Sequence, residues 1–142
     1  MARNGSDEQT AGIYVRGRPW RNAWLSLIAE RRTTAGRLGL LGAHAGLIGG
    51  TCLPVALVAY EVSGPGSSTA VGAIIALPFY LPLFAFAGTA FVAVLAWGTA
   101  LVLGGGEPPA ESLATVRAFR ASRWAGVALA ALLALASVLS GR

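Results

Sequence analysis

His44 is the only histidine in the chain, and it lies in an uncharged apolar stretch, GAHAGLIGG, at 42–50. An ionisable ring at membrane depth is a candidate for proton relay or for ligation of a cofactor. Both roles need a second group that orients the ring, and this segment contains no carboxylate. We therefore expect a neutral His44 that bonds to a backbone carbonyl or to Thr99, with a functional His44 as the alternative.

The other reactive side chains do not form a catalytic set. Cys52 is the only cysteine, so it cannot close an internal disulfide or a thiolate metal cage, and we expect an inert buried thiol. Glu61 follows an apolar run and is expected to face water at a helix end. Paired carboxylates, HExxH and lysine are absent from the sequence, which removes the usual acid–base, zinc and Schiff-base chemistries. We predict a protein that is not an enzyme and holds no cofactor or metal.

Small residues recur at every fourth position in two parts of the chain. The two stripes are Gly42, Gly46 and Gly50, and Gly126, Ala130 and Ala134. Such spacing places positions with little or no side chain along one helix face, where backbones can approach closely in lipid. We expect the two stripes to dock on each other within the chain, with an intermolecular seam as the alternative.

The composition indicates that lipid is the main solvent. Charged residues make up 12% of the chain and mean hydropathy is +0.64, whereas soluble domains carry about 25% charged residues. The net charge of +5 comes from arginines, and apart from Arg3 and Arg142 they fall in two clusters, each ahead of an apolar run. That placement is typical of the cytoplasmic flanks of membrane helices and does not indicate nucleic-acid binding. Arginine without lysine also suggests a GC-rich, prokaryotic genome.

Three apolar runs are long enough to cross a bilayer. The run at 38–60 has 23 uncharged residues, or about 34 Å of helix. The second run, at 70–103, is too long for one crossing, so we expect the span at 78–103, with 70–77 broken from it near Pro78 and Pro82. A hairpin there would put the second arginine cluster on the opposite side from the first, against the positive-inside rule. The third span is expected at 120–140.

An amphipathic helix is predicted at 19–36, after a flexible polar tail at 1–18. Its apolar face consists of Trp20, Ala23, Trp24, Leu27 and Ile28. Tryptophan on such a face favours a helix in the head-group layer, and the alternative is a helix that packs on the rest of the protein. The residues expected to anchor the chain at the membrane surface are Trp20, Trp24, Arg31, Arg32, Arg117, Arg120 and Arg123.

The sequence thus predicts an all-α integral membrane protein with three transmembrane helices in a domain at 37–142, N-terminus inside and C-terminus outside, preceded by the interfacial helix. We expect a cytoplasmic-membrane protein that acts as a non-catalytic accessory, assembly or scaffold subunit. Its expected partners are the lipid bilayer and a second protein or another copy of the chain, bound through the small-residue faces. The alternative is a component of a small oligomeric transporter or channel.

Overall fold

The structure, a computed structural model, describes residues 17–31, 33–63, 70–103 and 112–140. Helices account for 95% of these residues. The described helices are α1 (Pro19–Glu30), α2 (Thr34–Ser63), α3 (Ala70–Val102) and α4 (Ser112–Ser140). Residues 1–16 of the predicted tail, Arg32 and the connections at 64–69 and 104–111 lie outside the described residues.

Helices α2, α3 and α4 are each long and apolar enough to cross a bilayer, and each contains an 18-residue stretch whose mean hydropathy is 1.6, 2.0 and 1.7, respectively. The prediction of an all-α chain with three such helices is confirmed, and it indicates a membrane protein.

The helices extend beyond the apolar runs that predicted them. Helix α4 begins at Ser112, well before the expected 120, and α2 covers both ends of the expected 38–60. Arginine side chains can run along a helix and keep their charge in the head-group layer, so a charged turn does not end the helix. Helix α1 is shorter than predicted because it ends at Glu30 and the chain turns before Thr34.

Helix α3 is continuous through Pro78 and Pro82, so the predicted break at 78 is wrong. The two prolines lie four residues apart, and therefore on one side of the helix, and both are exposed. Each proline removes one backbone hydrogen bond. In a bilayer no water would compete for the neighbouring backbone groups, which favours the remaining helical bonds across the gap.

Helix α2 is the central element, because α3 and α4 both pack on it. Along α2, Gly42, Gly46 and Gly50 meet residues of decreasing number in α3, so these two helices are antiparallel. His44 and Gly49 meet residues of increasing number in α4, so α2 and α4 are parallel. This order brings the arginine-bearing starts of α2 and α4 to the same end of the bundle.

The glycine stripe of α2 packs against the backbone of α3. A Cβ on Gly42 would lie 2.7 Å from the Val92 carbonyl oxygen, and Cβ atoms on Gly46 and Gly50 would collide with the Gly88 and Phe84 carbonyl oxygens. Real Cβ atoms do not come this close to backbone atoms. The two backbones therefore touch over two turns of helix, which only glycine permits.

Helix α4 uses a different face of α2. Gly126 packs on the Ala45 carbonyl, and a Cβ on Gly49 would lie 3.0 Å from the Gly126 carbonyl oxygen. The expected docking of the two small-residue stripes on each other is therefore wrong for Gly42, Gly46 and Gly50. Gly49 follows Gly46 by three residues and therefore lies about 60° round the helix from it. One glycine-rich segment of α2 thus packs against α3 at Gly46 and against α4 at Gly49.

We predict that Gly46→Val lowers the thermal stability of the purified protein in detergent micelles. The added side chain meets the Gly88 backbone, which cannot move without separating α2 from α3. Overpacking of this kind typically costs about 1–3 kcal/mol. The control is Gly98→Val in α3, where an added Cβ has no neighbour within 4 Å. An equal loss in both variants would show that the contact at Gly46 is unimportant.

Candidate functional site at the arginine-rich end

A small apolar core joins α1 to the bundle. Leu25 and Ile28 of α1 are 2% and 1% exposed, and they pack with Phe119 of α4. Trp24, Leu40, Leu41 and Val116 surround them. Fully burying an aliphatic side chain of this size is worth about 1.5–3 kcal/mol, so these two residues hold α1 against the starts of α2 and α4.

The apolar face predicted for α1 is only partly the face that packs on the protein. Ile28 and Trp24 of that face contribute to the core, but Leu25, which is buried as fully as Ile28, is absent from the predicted face. Trp20 and Leu27 stay 65% and 45% exposed. The helix thus presents one apolar surface to the bundle and a second one to its surroundings.

His44 lies beside this core and is 4% exposed. Its ring stacks on Phe119 at a centroid distance of 4.2 Å, and Trp24 meets it edge-on at 5.2 Å. Its Nδ1 lies 2.8 Å from Ser122 Oγ, which in turn donates to the Phe119 carbonyl at 2.9 Å. The Ser122 hydroxyl has a single proton, and it donates that proton to the Phe119 carbonyl oxygen. Nδ1 of His44 is therefore the donor in the bond to Ser122 Oγ.

The expected partner of His44, Thr99, is elsewhere. Thr99 Oγ1 donates to the Leu95 carbonyl of its own helix at 2.7 Å. Ser122 takes its place, and sequence reasoning missed it. The available signal was its position four residues before Gly126, which extends the small-residue stripe of α4 by one turn. Ser122, Gly126 and Ala130 are all buried, and Ala134 is half-buried on the same face.

Four arginines, Glu61 and Cys52 are the remaining candidate residues, and all are less buried than His44. Arg117, Arg120 and Arg123 are exposed on the early turns of α4, and Arg31 is exposed just after α1. Glu61 is exposed near the end of α2, and Cys52 is half-buried within that helix. Within 17–31, 33–63, 70–103 and 112–140 no three side chains of His, Cys, Asp or Glu are grouped to hold a metal ion.

The polar side chains of the spans bond mainly to the backbone of their own helices. Thr51, Thr89 and Ser137 donate to carbonyls three or four residues earlier, at 2.6–2.9 Å. In the described part of the chain, no buried side-chain nitrogen or oxygen is without a partner. These hydroxyl protons are therefore already bonded and are not presented to a solute, while the Ser122–His44 bond joins two helices.

No family model, curated protein or solved structure matches this chain. Its function must therefore be inferred from its own contacts.

We predict that Ser122→Ala destabilises the protein by about 1–3 kcal/mol, because the buried Nδ1 of His44 loses its partner. The control is Ser137→Ala, which removes an exposed hydroxyl bonded to its own helix. Unfolding in mild detergent, followed by circular dichroism, measures both.

The double variant His44→Phe/Ser122→Ala separates the hydrogen bond from packing. Replacing both partners by apolar groups leaves nothing unpaired, so it should recover much of the stability lost in Ser122→Ala. Phenylalanine keeps the stack on Phe119. If the losses of the two single variants simply add in the double variant, the bond does not contribute.

Proposed function

We propose that the arginine-rich end of the bundle faces the cytoplasm and that the chain crosses the membrane three times. The parallel arrangement of α2 and α4 supports this, because Arg37 near the start of α2 and Arg117, Arg120 and Arg123 near the start of α4 then share one side. Lys and Arg are enriched on cytoplasmic flanks. The opposite end of α2 carries Glu61 and no arginine.

In the same proposal, α1 lies in the cytoplasmic head-group layer. Two observations support this placement: Leu25 and Ile28 fasten α1 to the arginine-rich end, and Trp20 and Leu27 remain exposed on it. Indole rings are favoured at the membrane–water interface, where an apolar body and a polar N–H are both accommodated.

The protein's function, in our proposal, is that of a non-catalytic accessory or scaffold subunit that docks through α3. The observation that carries this is the unequal use of α3: its Gly88 side is closed against α2, and the opposite side carries large exposed apolar groups. Ile75, Phe79 and Phe86 are 66%, 77% and 75% exposed. Seven-residue spacing brings Phe79 and Phe86 to nearly the same face.

On this side of α3, Phe79 and Phe86 are two exposed aromatic side chains, and backbone contact with α2 holds the opposite side of the helix. Aromatic side chains lose little conformational freedom on binding and dominate the energetics of interfaces. The expected occupant is a helix of another membrane protein or a second copy of this chain. The glycine seam does not provide this surface, since it is closed within the chain.

The orientation predicts which ends of the chain a membrane-impermeant thiol reagent reaches. In a Cys52→Ala background, Ser63→Cys and Ser140→Cys should be labelled in intact cells, and Ala29→Cys only after permeabilisation. All three positions are exposed in the structure. Labelling of Ala29→Cys and Ser140→Cys from the same compartment would disprove three crossings.

The docking surface predicts site-specific photo-crosslinking in native membranes. A photoreactive residue in place of Phe86 should give a discrete protein adduct, detected by blue-native electrophoresis and mass spectrometry. The control position is Leu132 of α4, which is 65% exposed and should give lipid adducts only. An adduct of twice 14.5 kDa identifies a second copy, and a different mass identifies another subunit. Lipid adducts alone at Phe86 would contradict the scaffold role.

A further inference from the structure

Four arginines from distant parts of the sequence surround one cavity at the arginine-rich end. Arg18 and Arg21 come from the start of α1, and Arg120 and Arg123 come from α4. The cavity has a volume of about 250 Å³, and Val116 and Phe119 complete its lining. We call it the arginine cavity.

The arginine cavity is strongly cationic. Guanidinium groups are positively charged in proteins, so four positive charges surround the cavity. Glu30 and Glu61 are the only carboxylates among the residues that the structure describes, and neither lines the cavity. Packing of Leu25 and Ile28 on Phe119 thus holds like charges together, which is unfavourable unless an anion neutralises them.

The donor set favours a tetrahedral oxyanion. Each guanidinium presents five N–H groups in a planar fork that matches pairs of phosphate oxygens. The cavity is smaller than the roughly 300–1,000 Å³ of sites for drug-sized ligands, which suits a single small head group. Its lining is also partly apolar, since Val116 and Phe119 face it between the charges.

The surroundings of the cavity favour a lipid over a soluble phosphate ester. Trp124, directly after Arg123, is 65% exposed, and Trp20 beside the other arginine pair is equally exposed. Exposed indoles mark the head-group level of a membrane protein. Between Trp124 and Ser137 the exposed residues of α4 are apolar, including Val127 and Leu132, and acyl chains can lie along them.

We propose that the arginine cavity binds the phosphate of an anionic phospholipid head group, with the acyl chains against α4. This inference requires membrane insertion with the arginines at head-group level, and it is independent of the scaffold role of α3. The site joins α1 to α4, so the bound lipid also holds the interfacial helix to the bundle.

The test is a lipid-dependent thermal shift of the full chain, purified in a zwitterionic detergent. Phosphatidylglycerol should raise the melting temperature at concentrations about tenfold lower than phosphatidylcholine. Arg120→Gln/Arg123→Gln should abolish the preference for phosphatidylglycerol. Arg18→Gln/Arg21→Gln, which removes the other two cavity arginines, should also abolish it. The matched control is Arg31→Gln/Arg117→Gln, which removes the same charge from positions outside the cavity and should behave as the parent protein.

Two further arms make the outcome decisive. Without lipid, the cavity variants should melt at or above the temperature of the parent protein, because repulsion between guanidinium groups is relieved. This result excludes misfolding as the cause of lost lipid binding.

Soluble glycerol phosphate should give little shift in the melting temperature, and a shift equal to that of phosphatidylglycerol would overturn the lipid assignment. An equal loss of preference in the Arg31/Arg117 control would overturn the site itself. Neither result depends on whether Phe86 captures a partner.

Discussion

The backbone contact between α2 and α3 is the constraint on which the rest of the fold depends. Lipid tails are as apolar as leucine, so apolar side chains gain little by leaving lipid for a neighbouring helix. What remains is dispersion between atoms in contact, about 0.1–0.2 kcal/mol for each pair, and hydrogen bonds. The stripe at Gly42, Gly46 and Gly50 gives many such contacts because it brings the α3 backbone at Gly88 directly against α2. Any side chain on the stripe would reduce all of them together.

The second glycine contact sets the register of α4 and thereby builds the arginine-rich end. Gly126 lies against Ala45 and Gly49, and one turn earlier this register brings Ser122 to His44. Phe119, three residues before Ser122, then stacks on the same ring and provides the surface on which Leu25 and Ile28 are buried. The position of α1 is therefore a consequence of glycine packing deeper in the bundle. The imidazole links two helices, and no fully buried side-chain nitrogen or oxygen among the described residues is without a partner.

The sequence could predict which residues make close contacts, but not always with which neighbour. The four-residue spacing of glycines identifies a bare face on α2, yet Gly88, with Val92 and Ala96 beside it, is as suitable a partner as Gly126. Choosing between them requires the rotation of α2 about its axis, which a single stripe does not define. For the same reason Thr99 was the side chain expected to bond to His44, where the structure has Ser122. In a bilayer the backbone around Pro78 and Pro82 would have no water to bond to, which favours the unbroken helix. Helix propensities measured in water do not include this property of the surroundings.

In the orientation that we propose, the positive-inside rule accounts for the arginines being on one side of the membrane, but not for their convergence. That rule requires only that the charges stay on one side of the membrane, and exposed arginines at separate helix ends would satisfy it with less repulsion. In this chain the burial of Leu25 and Ile28 offsets the electrostatic cost of placing Arg18 and Arg21 beside Arg120 and Arg123. Local conflicts that a fold tolerates are concentrated at functional sites. The apolar core holds the four arginines around one cavity. An anionic head group bound there would neutralise their charges and remove the repulsion between them.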